Sequence, residues 1–195
     1  LLVSSAPSEE HRRVCWHFPK QRGKSDTVEF WDRRGLGTLS LLSAEQFVEL
    51  QQRLGPDALE ITVDEWAHRL KKTDRPIKVA LLDQSLVAGI GNLYASEILH
   101  RSGISPKRKA SRLRKPDIEK MADATLQILS TAIRYEGSTL NDGTYRNALA
   151  ESGGYQNHHQ VYDRAGETCP ACGQSEILRI VQAQRSTFYC PGCQK

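Results

Sequence analysis

Four cysteines near the end of the sequence have the spacing of a metal site. Cys169 and Cys172 form one C-x2-C pair, Cys190 and Cys193 form another, and seventeen residues separate the pairs. Two such pairs typically present four thiolates to one tetrahedral zinc ion. Two disulfides or a redox C-x-x-C site are the alternatives, but no secretory segment is visible and no βαβ pattern surrounds either pair. We therefore predict one structural zinc ion in a zinc ribbon, because four sulfur ligands leave no position for a reactive water.

The residues between the two cysteine pairs predict a β-hairpin that carries an arginine. Residues 177–181 and 186–190 are short runs with high β propensity, and they flank residues 182–185. The tip of the hairpin therefore includes Arg185, whose guanidinium is suited to binding a phosphate. The pattern is equally compatible with an ordinary solvated arginine, since arginine is common at protein surfaces.

Composition indicates a protein with a modest core and clustered positive charge. Of the 195 residues, 38% are hydrophobic, the mean hydropathy is −0.53, and no apolar run approaches membrane-spanning length. The 27 Lys and Arg exceed the 23 Asp and Glu by 4, yet seven basic residues and no acid lie within 101–115, and five lie within 11–24. Such clusters can bind a polyanion, although a basic loop is more often a solvated face. The fifth cysteine, Cys15, is predicted to be a buried free thiol, which suits a reducing cytoplasm.

Periodicity predicts an α+β protein, in which a partial N-terminal β layer precedes a helical region. Thr62 and Glu65 have the spacing of a capping box at the start of a helix. The remaining helix and strand boundaries follow from apolar spacing and turn residues. Strands are predicted at residues 14–18, 27–31 and 38–42, and helices at residues 44–53, 62–71, 77 to about 87, 92–101 and 116–135.

Gly89, Gly91 and Asn92 predict a phosphate-binding turn before a helix. The two glycines permit a tight turn with exposed backbone amides, and Asn92 is the expected N-cap of the helix that follows. Backbone N–H groups and the helix dipole would then point at one anion. A plain corner between two helices is the alternative. A dinucleotide-binding loop is excluded, because no strand precedes the turn and the third glycine is lacking.

Two long motifs and one looser one resemble the formamidopyrimidine-DNA glycosylases and their endonuclease VIII relatives. The sequence KVALLDQSLVAGIGNLYASE at residues 78–97 is similar to the family's helix-two-turn-helix signature. The sequences VYDR (161–164) and QRSTFYCPGCQ (184–194), together with the first cysteine pair, resemble its zinc hairpin. The segment DRRGLG (32–37) is similar to the strand motif DPRRFG, from which it departs at three positions. The resemblance extends from about residue 30 onward.

This resemblance implies which side chains hold DNA. Asn92 and Arg185 would grip phosphates around the lesion, Lys78 would lie near the flipped nucleotide, and Tyr162 would pack beside Arg185. Enzymes that excise a base must flip it out of the duplex, so they need groups that hold the kinked backbone.

Residues 32–37 and 137–159 would approach the lesion itself, by the same resemblance. Arg34 would face the widowed base, and Leu36 would replace the family's phenylalanine wedge, a position at which leucine is also suitable. Residues 137–159 resemble in position the family's lesion-capping loop and include Gly143, Gly153 and Gly154. His158 and His159 are interpreted as solvated loop residues, because the four-cysteine set is already complete.

The family's chemistry depends on an N-terminal Pro-Glu pair. The proline amine attacks the sugar C1′ to form a Schiff base, the glutamate acts as acid and base, and β,δ-elimination cuts the strand. The 195 residues contain no Pro-Glu dipeptide, and Pro7 is internal and has no free amine. We therefore expect that roughly 75 upstream residues of a full enzyme are absent. None of these 195 residues would then be catalytic, and the chain as given would be inactive.

The resemblance thus implies a base-excision repair glycosylase and AP lyase that acts on 8-oxoguanine or formamidopyrimidine lesions in duplex DNA. It implies a bacterial, cytoplasmic monomer with no membrane partner. Residues 1–42 would be a remnant of the catalytic β-sandwich, 43–160 the helix-two-turn-helix domain with its capping loop, and 161–195 the zinc hairpin. The alternatives are a non-catalytic zinc ribbon that binds nucleic acid and a structural ribbon that binds only proteins. An upstream Pro-Glu terminus argues against the first, and DNA binding argues against the second.

Overall fold

The computed structural model describes residues 8–19, 27–139, 145, 147–149 and 151–195. The chain divides into two compact units, Leu1–Leu41 with Thr131–His158 and Leu42–Ser130 with His159–Lys195. The strands are β1 (Arg12–His17), β2 (Thr27–Trp31), β3 (Leu178–Gln182) and β4 (Arg185–Tyr189). The α-helices are α1 (Ala44–Gln52), α2 (Val63–Leu70), α3 (Ile77–Leu81), α4 (Asn92–Arg101) and α5 (Lys115–Arg134), and short 3₁₀ helices lie at Ala110–Arg112 and Tyr155–His158. The predicted α+β class is confirmed.

In the first unit, β1 and β2 form an antiparallel pair. Val14 lies opposite Phe30, and a bulge separates Val14 from Arg12. The Arg12 guanidinium forms an ion pair with the buried Glu29 carboxylate, at 3.2 Å between Nη1 and Oε1. Cys15 is half-buried, so its predicted complete burial is wrong.

The predicted strand at residues 38–42 is not formed. Within the described residues the sheet of the first unit has two strands, and residues 38–42 are irregular and exposed. A run of alternating leucines becomes a strand only where a neighbouring edge accepts its backbone hydrogen bonds. The local pattern was therefore insufficient to predict this strand.

The second unit contains the helical core. Thr62 caps α2, and its side chain and that of Glu65 form the predicted capping box. Fully buried side chains from successive helices pack this core and include Trp66, Leu70, Ile77, Leu81, Ile98, Leu99 and Met121. No helix in the described part of the chain is long and apolar enough to cross a membrane.

Helix α3 is shorter than predicted, because a side chain ends it. It stops at Leu81 rather than near Val87. The Asp83 carboxylate accepts hydrogen bonds from the backbone N–H and the hydroxyl of Ser85, at 2.9 and 2.6 Å, and this turn competes with helix propagation. The chain thereby turns before α4 begins.

Strands β3 and β4 form the hairpin expected between the cysteine pairs. Gln182 pairs with Arg185, so Ala183 and Gln184 form a two-residue turn in which φ is 46° and 60°. Positive φ at both positions is typical of a type I′ hairpin turn. A small core of Val161, Cys169, Ile177, Phe188 and Cys190 lies beneath the hairpin.

Candidate nucleic-acid interface and metal centre

The turn before α4 is held by one glutamine that the sequence analysis did not identify. The Gln84 side chain accepts a hydrogen bond from the Gly89 N–H (2.9 Å) and donates to the Ile90 carbonyl (3.0 Å). Gly89 has φ +99°, which favours glycine. Its amide is not free, so the expectation that both glycines expose their amides is wrong for Gly89. A Cβ on Gly91 would meet no described atom within 4 Å, so this side of the turn is open.

Asn92 is the first residue of α4 rather than its N-cap. The cap is Gly91, in an extended conformation, and it makes no side-chain capping bond. The Asn92 side chain instead connects two elements, because its Nδ2 donates to the Ser186 carbonyl of β4 at 3.0 Å and its Oδ1 accepts from Lys78 Nζ. An amide NH₂ carries two donors, and within the described part of the chain the second one has no protein acceptor.

Lys78 is a buried cation close to a second cation. Its side chain lies in α3 and is 0% exposed. Burial, and to a smaller extent the positive charge of Arg185, together lower the pKa of Lys78 to about 8. Arg185 itself is exposed at the start of β4, beside the hairpin turn. We call Lys78, Asn92 and Arg185 the hairpin site.

Tyr162 is positioned by a carboxylate that the sequence analysis did not identify. Glu97 of α4 is 1% exposed, and its oxygens accept hydrogen bonds from the backbone N–H groups of Gln160, Val161 and Tyr162, at 2.8 to 3.1 Å. Burial raises the pKa of Glu97, and these N–H groups oppose that rise. The Tyr162 ring packs edge-on against Phe188 with centroids 5.0 Å apart, and this contact places it on the hairpin.

The four cysteines converge as their spacing predicts. The sulfur atoms all lie within 4.8 Å of one another, with Cys169 to Cys193 at 3.8 Å and Cys172 to Cys190 at 3.7 Å. A tetrahedral zinc ion with bonds of about 2.3 Å requires sulfur pairs about 3.8 Å apart, so the donor set fits zinc. Hydrogen bonds from the backbone N–H groups of Gln174 and Ser175 lower the pKa of Cys172 to about 6.

A histidine that was not predicted also contacts this centre. His100 lies near the end of α4 and is 6% exposed. Its Nε2 is 3.4 Å from Cys169 Sγ. Burial lowers the pKa of His100. A histidine eight residues after Asn92 on the same helix carries no metal-binding motif, so only the folded structure shows this contact.

His158 and His159 lie outside the metal centre. Among the described residues, the only group with metal-ligand geometry is the four cysteines. His158 is exposed and packs against Tyr135 with ring centroids 4.2 Å apart, whereas His159 is buried. The interpretation of His159 as solvated is wrong, because its carbonyl accepts from Arg164 and its ring lies against Tyr162.

Arg34 and Leu36 belong to the first unit and occupy a tight loop, residues 32–37. The Asp32 carboxylate accepts from the N–H groups of Arg34 (3.1 Å), Gly35 (3.0 Å) and Gly37 (2.6 Å). These bonds, above all the one from Gly37, lower the pKa of Asp32. The Arg34 side chain is exposed and Leu36 is 70% exposed, so the loop backbone is fixed while the side chains are accessible.

Residues 137–159, the predicted capping loop, are described only in part. Residues 140–144, 146 and 150 lie outside the described residues, and Gly143 is among them. The base of the segment is closed by hydrogen bonds from Gly154 N–H to the Tyr135 carbonyl (2.7 Å) and from Tyr155 N–H to the Gly137 carbonyl (2.9 Å). The capping role stays a prediction.

Ion pairs partly neutralise the basic cluster at residues 101–115. Arg108 contacts the Asp117 carboxylate at 2.7 Å, and Lys109 contacts Asp74 at 3.6 Å. Lys107 lies over the Tyr189 ring, 5.1 Å from its centroid. The free positive charge of this cluster is therefore smaller than the residue count suggests.

Comparison with known families identifies both motifs. The model of the formamidopyrimidine-DNA glycosylase H2TH domain matches residues 54–144, and that of a zinc finger found in FPG and IleRS matches residues 166–195. A formamidopyrimidine-DNA glycosylase of Chloroflexus aurantiacus is 41% identical over 196 residues, which cover 100% of this chain and 69% of the relative. One from Desulfitobacterium hafniense is 44% identical over 198 residues and covers 98% of this chain and 69% of the relative.

Solved structures agree with these sequence matches. The MutM (Fpg) protein of Thermus thermophilus aligns with a TM-score of 0.83 at 36% identity and covers 99% of this chain and 71% of that one. Lactococcus lactis Fpg in complex with DNA containing an abasic site aligns at 0.82 and 33% identity, covering 100% and 69%. The same enzyme with N7-benzyl-Fapy-dG DNA aligns at 0.83 and 33%, covering 100% and 70%.

Proposed function

Because the chain belongs to the formamidopyrimidine-DNA glycosylase family, we propose that it binds damaged duplex DNA and grips one backbone phosphate with the hairpin site. The lesions are oxidised purines of the 8-oxoguanine and formamidopyrimidine type. One relative supports this substrate class, since the L. lactis enzyme was solved with abasic-site DNA and with N7-benzyl-Fapy-dG DNA. Arg34 and Leu36 contact the opposite strand and the vacated stack, as the family resemblance implies.

The main support for this proposal is a pair of cations, Lys78 and Arg185, beside the N-terminus of α4. Lys78 is buried and its pKa is lowered by burial and by Arg185. Such an arrangement is unfavourable until an anion arrives, because two like charges repel and one of them is desolvated. A phosphate would offset the repulsion between the two cations and the cost of burying Lys78. The N-terminus of α4 and the second Asn92 N–H favour the same anion.

Arginine and asparagine substitutions test the phosphate grip. We expect Arg185→Ala and Asn92→Ala each to weaken binding to duplex DNA by about 1–3 kcal/mol, the range for a hydrogen bond to a charged group. Arg185→Ala should also lower the slope of log K against log salt by about one unit. Fluorescence anisotropy at several salt concentrations measures both quantities.

Arg53→Ala is the matched control, since Arg53 is exposed at the end of α1. It should change neither the affinity nor the slope. Equal binding by wild type, Arg185→Ala and Asn92→Ala would show that the hairpin site is not the phosphate grip.

We further propose that the nucleophile of glycosylase and AP lyase chemistry lies outside these 195 residues. They contain no Pro-Glu dipeptide, and a positioned amine beside an acid is what makes such chemistry fast. Lys78 is the rival, because a buried amine with a pKa of about 8 is substantially neutral near that pH.

Borohydride trapping on abasic duplex DNA distinguishes the two amines. The 195-residue chain should give no covalent adduct, whereas a protein that carries a Pro-Glu terminus ahead of it should give one. An adduct formed by the 195-residue chain and abolished by Lys78→Ala would assign the chemistry to Lys78.

We also propose that the four cysteines hold one zinc ion. The sulfur separations fit a tetrahedral site, and an ion there would hold four thiolates together and fix the base of the hairpin. Elemental analysis of the purified chain should give about one zinc per molecule. A mass lower than expected by two disulfides, or no stoichiometric metal, would contradict the assignment.

A further inference from the structure

We infer that His100 is a positioning residue of the metal centre, and that its Nε2–H donates a hydrogen bond to the Cys169 thiolate. The inference rests on the proposed metal site. The two groups are 3.4 Å apart, and both residues are buried. A metal-bound thiolate carries no proton, so it can only accept, and the imidazole supplies the N–H.

This hydrogen bond would compensate part of the negative charge of the metal site. A divalent cation with four thiolates leaves a net charge of about −2, and a buried charge is costly unless polar groups compensate it. The Cys169 sulfur is fully buried, so water cannot compensate its charge and a protein group has to do so. A hydrogen-bond donor beside the sulfur stabilises the thiolate form that binds metal.

The position of His100 on α4 also connects the metal site to the hairpin site. His100 and Asn92 lie on the same ten-residue helix, α4. Asn92 bonds the Ser186 carbonyl of β4 at the start of this helix, and His100 contacts Cys169 near its end. Helix α4 therefore contacts β4 at its start and Cys169 near its end, and the two contacts lie about 12 Å apart along its axis. Loss of the His100 contact should loosen the metal and, through α4, the hairpin site.

Substitutions that separate donation from packing test this inference. His100→Leu removes the donor and keeps an apolar side chain, whereas His100→Gln keeps an N–H donor. We expect zinc transfer to a chromophoric chelator to be about tenfold faster in His100→Leu, at the lower end of the range for ligands deprived of their outer hydrogen bonds. His100→Gln should recover a substantial part of the loss.

Cobalt substitution supplies a readout that packing does not move. In the Co²⁺-loaded chain the sulfur-to-cobalt charge-transfer band should shift to longer wavelength in His100→Leu, because a thiolate that loses a hydrogen bond is a better electron donor. Leu99→Ala is the packing control, since Leu99 is fully buried on the same helix. It should lower stability and leave the band in place. His68→Leu, at an exposed position of α2, should change neither.

The outcomes distinguish this inference from the proposed metal site. A wild-type chain that holds no metal overturns both. A metal-loaded wild type whose zinc transfer rate and cobalt band match those of His100→Leu overturns the inference alone. A band shift in Leu99→Ala equal to that in His100→Leu would also overturn it, because the effect would then be one of packing.

Discussion

The hairpin site and the loop at residues 32–37 hold their predicted DNA contacts in different ways. In the hairpin site, Asn92 is bonded to both Lys78 and the Ser186 carbonyl, and Lys78 is fully buried. In the loop, the Asp32 carboxylate fixes the backbone, while the Leu36 side chain is exposed. Under the proposed function, the first arrangement presents a preorganised set of donors to a phosphate, and the second keeps side chains accessible to the space left by a flipped base.

This contrast predicts how substitutions divide between folding and binding. Residues that hold the hairpin site contribute to stability even without DNA, because they are buried and bonded in the free protein. Side chains of the loop contribute only once DNA is present. The largest effects on folding should therefore come from buried, bonded groups of the second unit, which contains the hairpin site.

Glu97→Ala should give the largest loss of stability. Three backbone N–H groups donate to this buried carboxylate, and its removal leaves them without their acceptor. We expect a destabilisation of about 3–5 kcal/mol, measured by urea unfolding with zinc present. Binding to DNA should weaken as well, because the segment that carries Tyr162 loses its anchor.

Glu119→Ala, at an exposed position of α5, is the control and should be nearly neutral. A Glu97→Ala protein as stable as wild type would show that the Glu97 carboxylate does not hold the segment that carries Tyr162.

The pH dependence of DNA binding should be the next largest effect. A phosphate beside Lys78 favours its charged form and raises its pKa above the value of about 8 in the free protein. Binding then takes up a proton once the pH exceeds about 8, so the affinity should fall as pH rises, by at most tenfold per pH unit. Anisotropy titrations between pH 7 and 10 at constant ionic strength measure this.

Folding stability should change in the opposite direction over the same range. The unfolded chain keeps the proton on Lys78 up to its ordinary pKa of 10.5, whereas the folded chain releases it near 8. The unfolded state therefore binds more protons between these values, and stability rises with pH. Lys78→Met should remove both trends, and Lys120→Met, at an exposed site on α5, should retain them. Equal pH profiles for Lys78→Met and Lys120→Met would show that Lys78 is not the source of the pH dependence.

Local chemistry explains which parts of this structure were predictable from sequence. The two C-x2-C pairs, the hairpin between them and the Thr62 capping box depend on residues close in sequence, and all three are found. Each is fixed by spacing alone, because the groups that interact are separated by one short turn or hairpin.

The remaining features depend on contacts between distant segments. Glu97 meets Gln160 across 63 residues, and His100 meets Cys169 across 69. A glutamate within the apolar run of α4 is a weak signal of such a partner, because a buried carboxylate must be bonded. The strand predicted at residues 38–42 also depended on a distant segment, since an alternating pattern does not supply a neighbouring strand.

The hairpin turn should respond modestly, and in the stabilising direction. Gln184 has φ 60°, a left-handed conformation that costs a non-glycine residue about 1 kcal/mol or more. Gln184→Gly should therefore raise stability by about 0.5–1 kcal/mol after the entropy of the glycine is included. Gln51→Gly in α1 is the opposite control and should lower stability by a similar amount. A loss of stability in Gln184→Gly would show that the turn is not strained.

Leu36→Ala should have the smallest effect on the free protein and yet a measurable one on binding. With 70% of Leu36 exposed, the free energy of unfolding should change by less than about 0.5 kcal/mol. If Leu36 is the wedge that enters the vacated stack, affinity for abasic duplex should fall while affinity for undamaged duplex stays the same, since only the former leaves a space for the side chain. Leu39→Ala is the control, because Leu39 is 61% exposed in the same segment. Anisotropy titrations with the two duplexes measure the ratio of affinities, and an unchanged ratio in Leu36→Ala would show that Leu36 does not contact the lesion site.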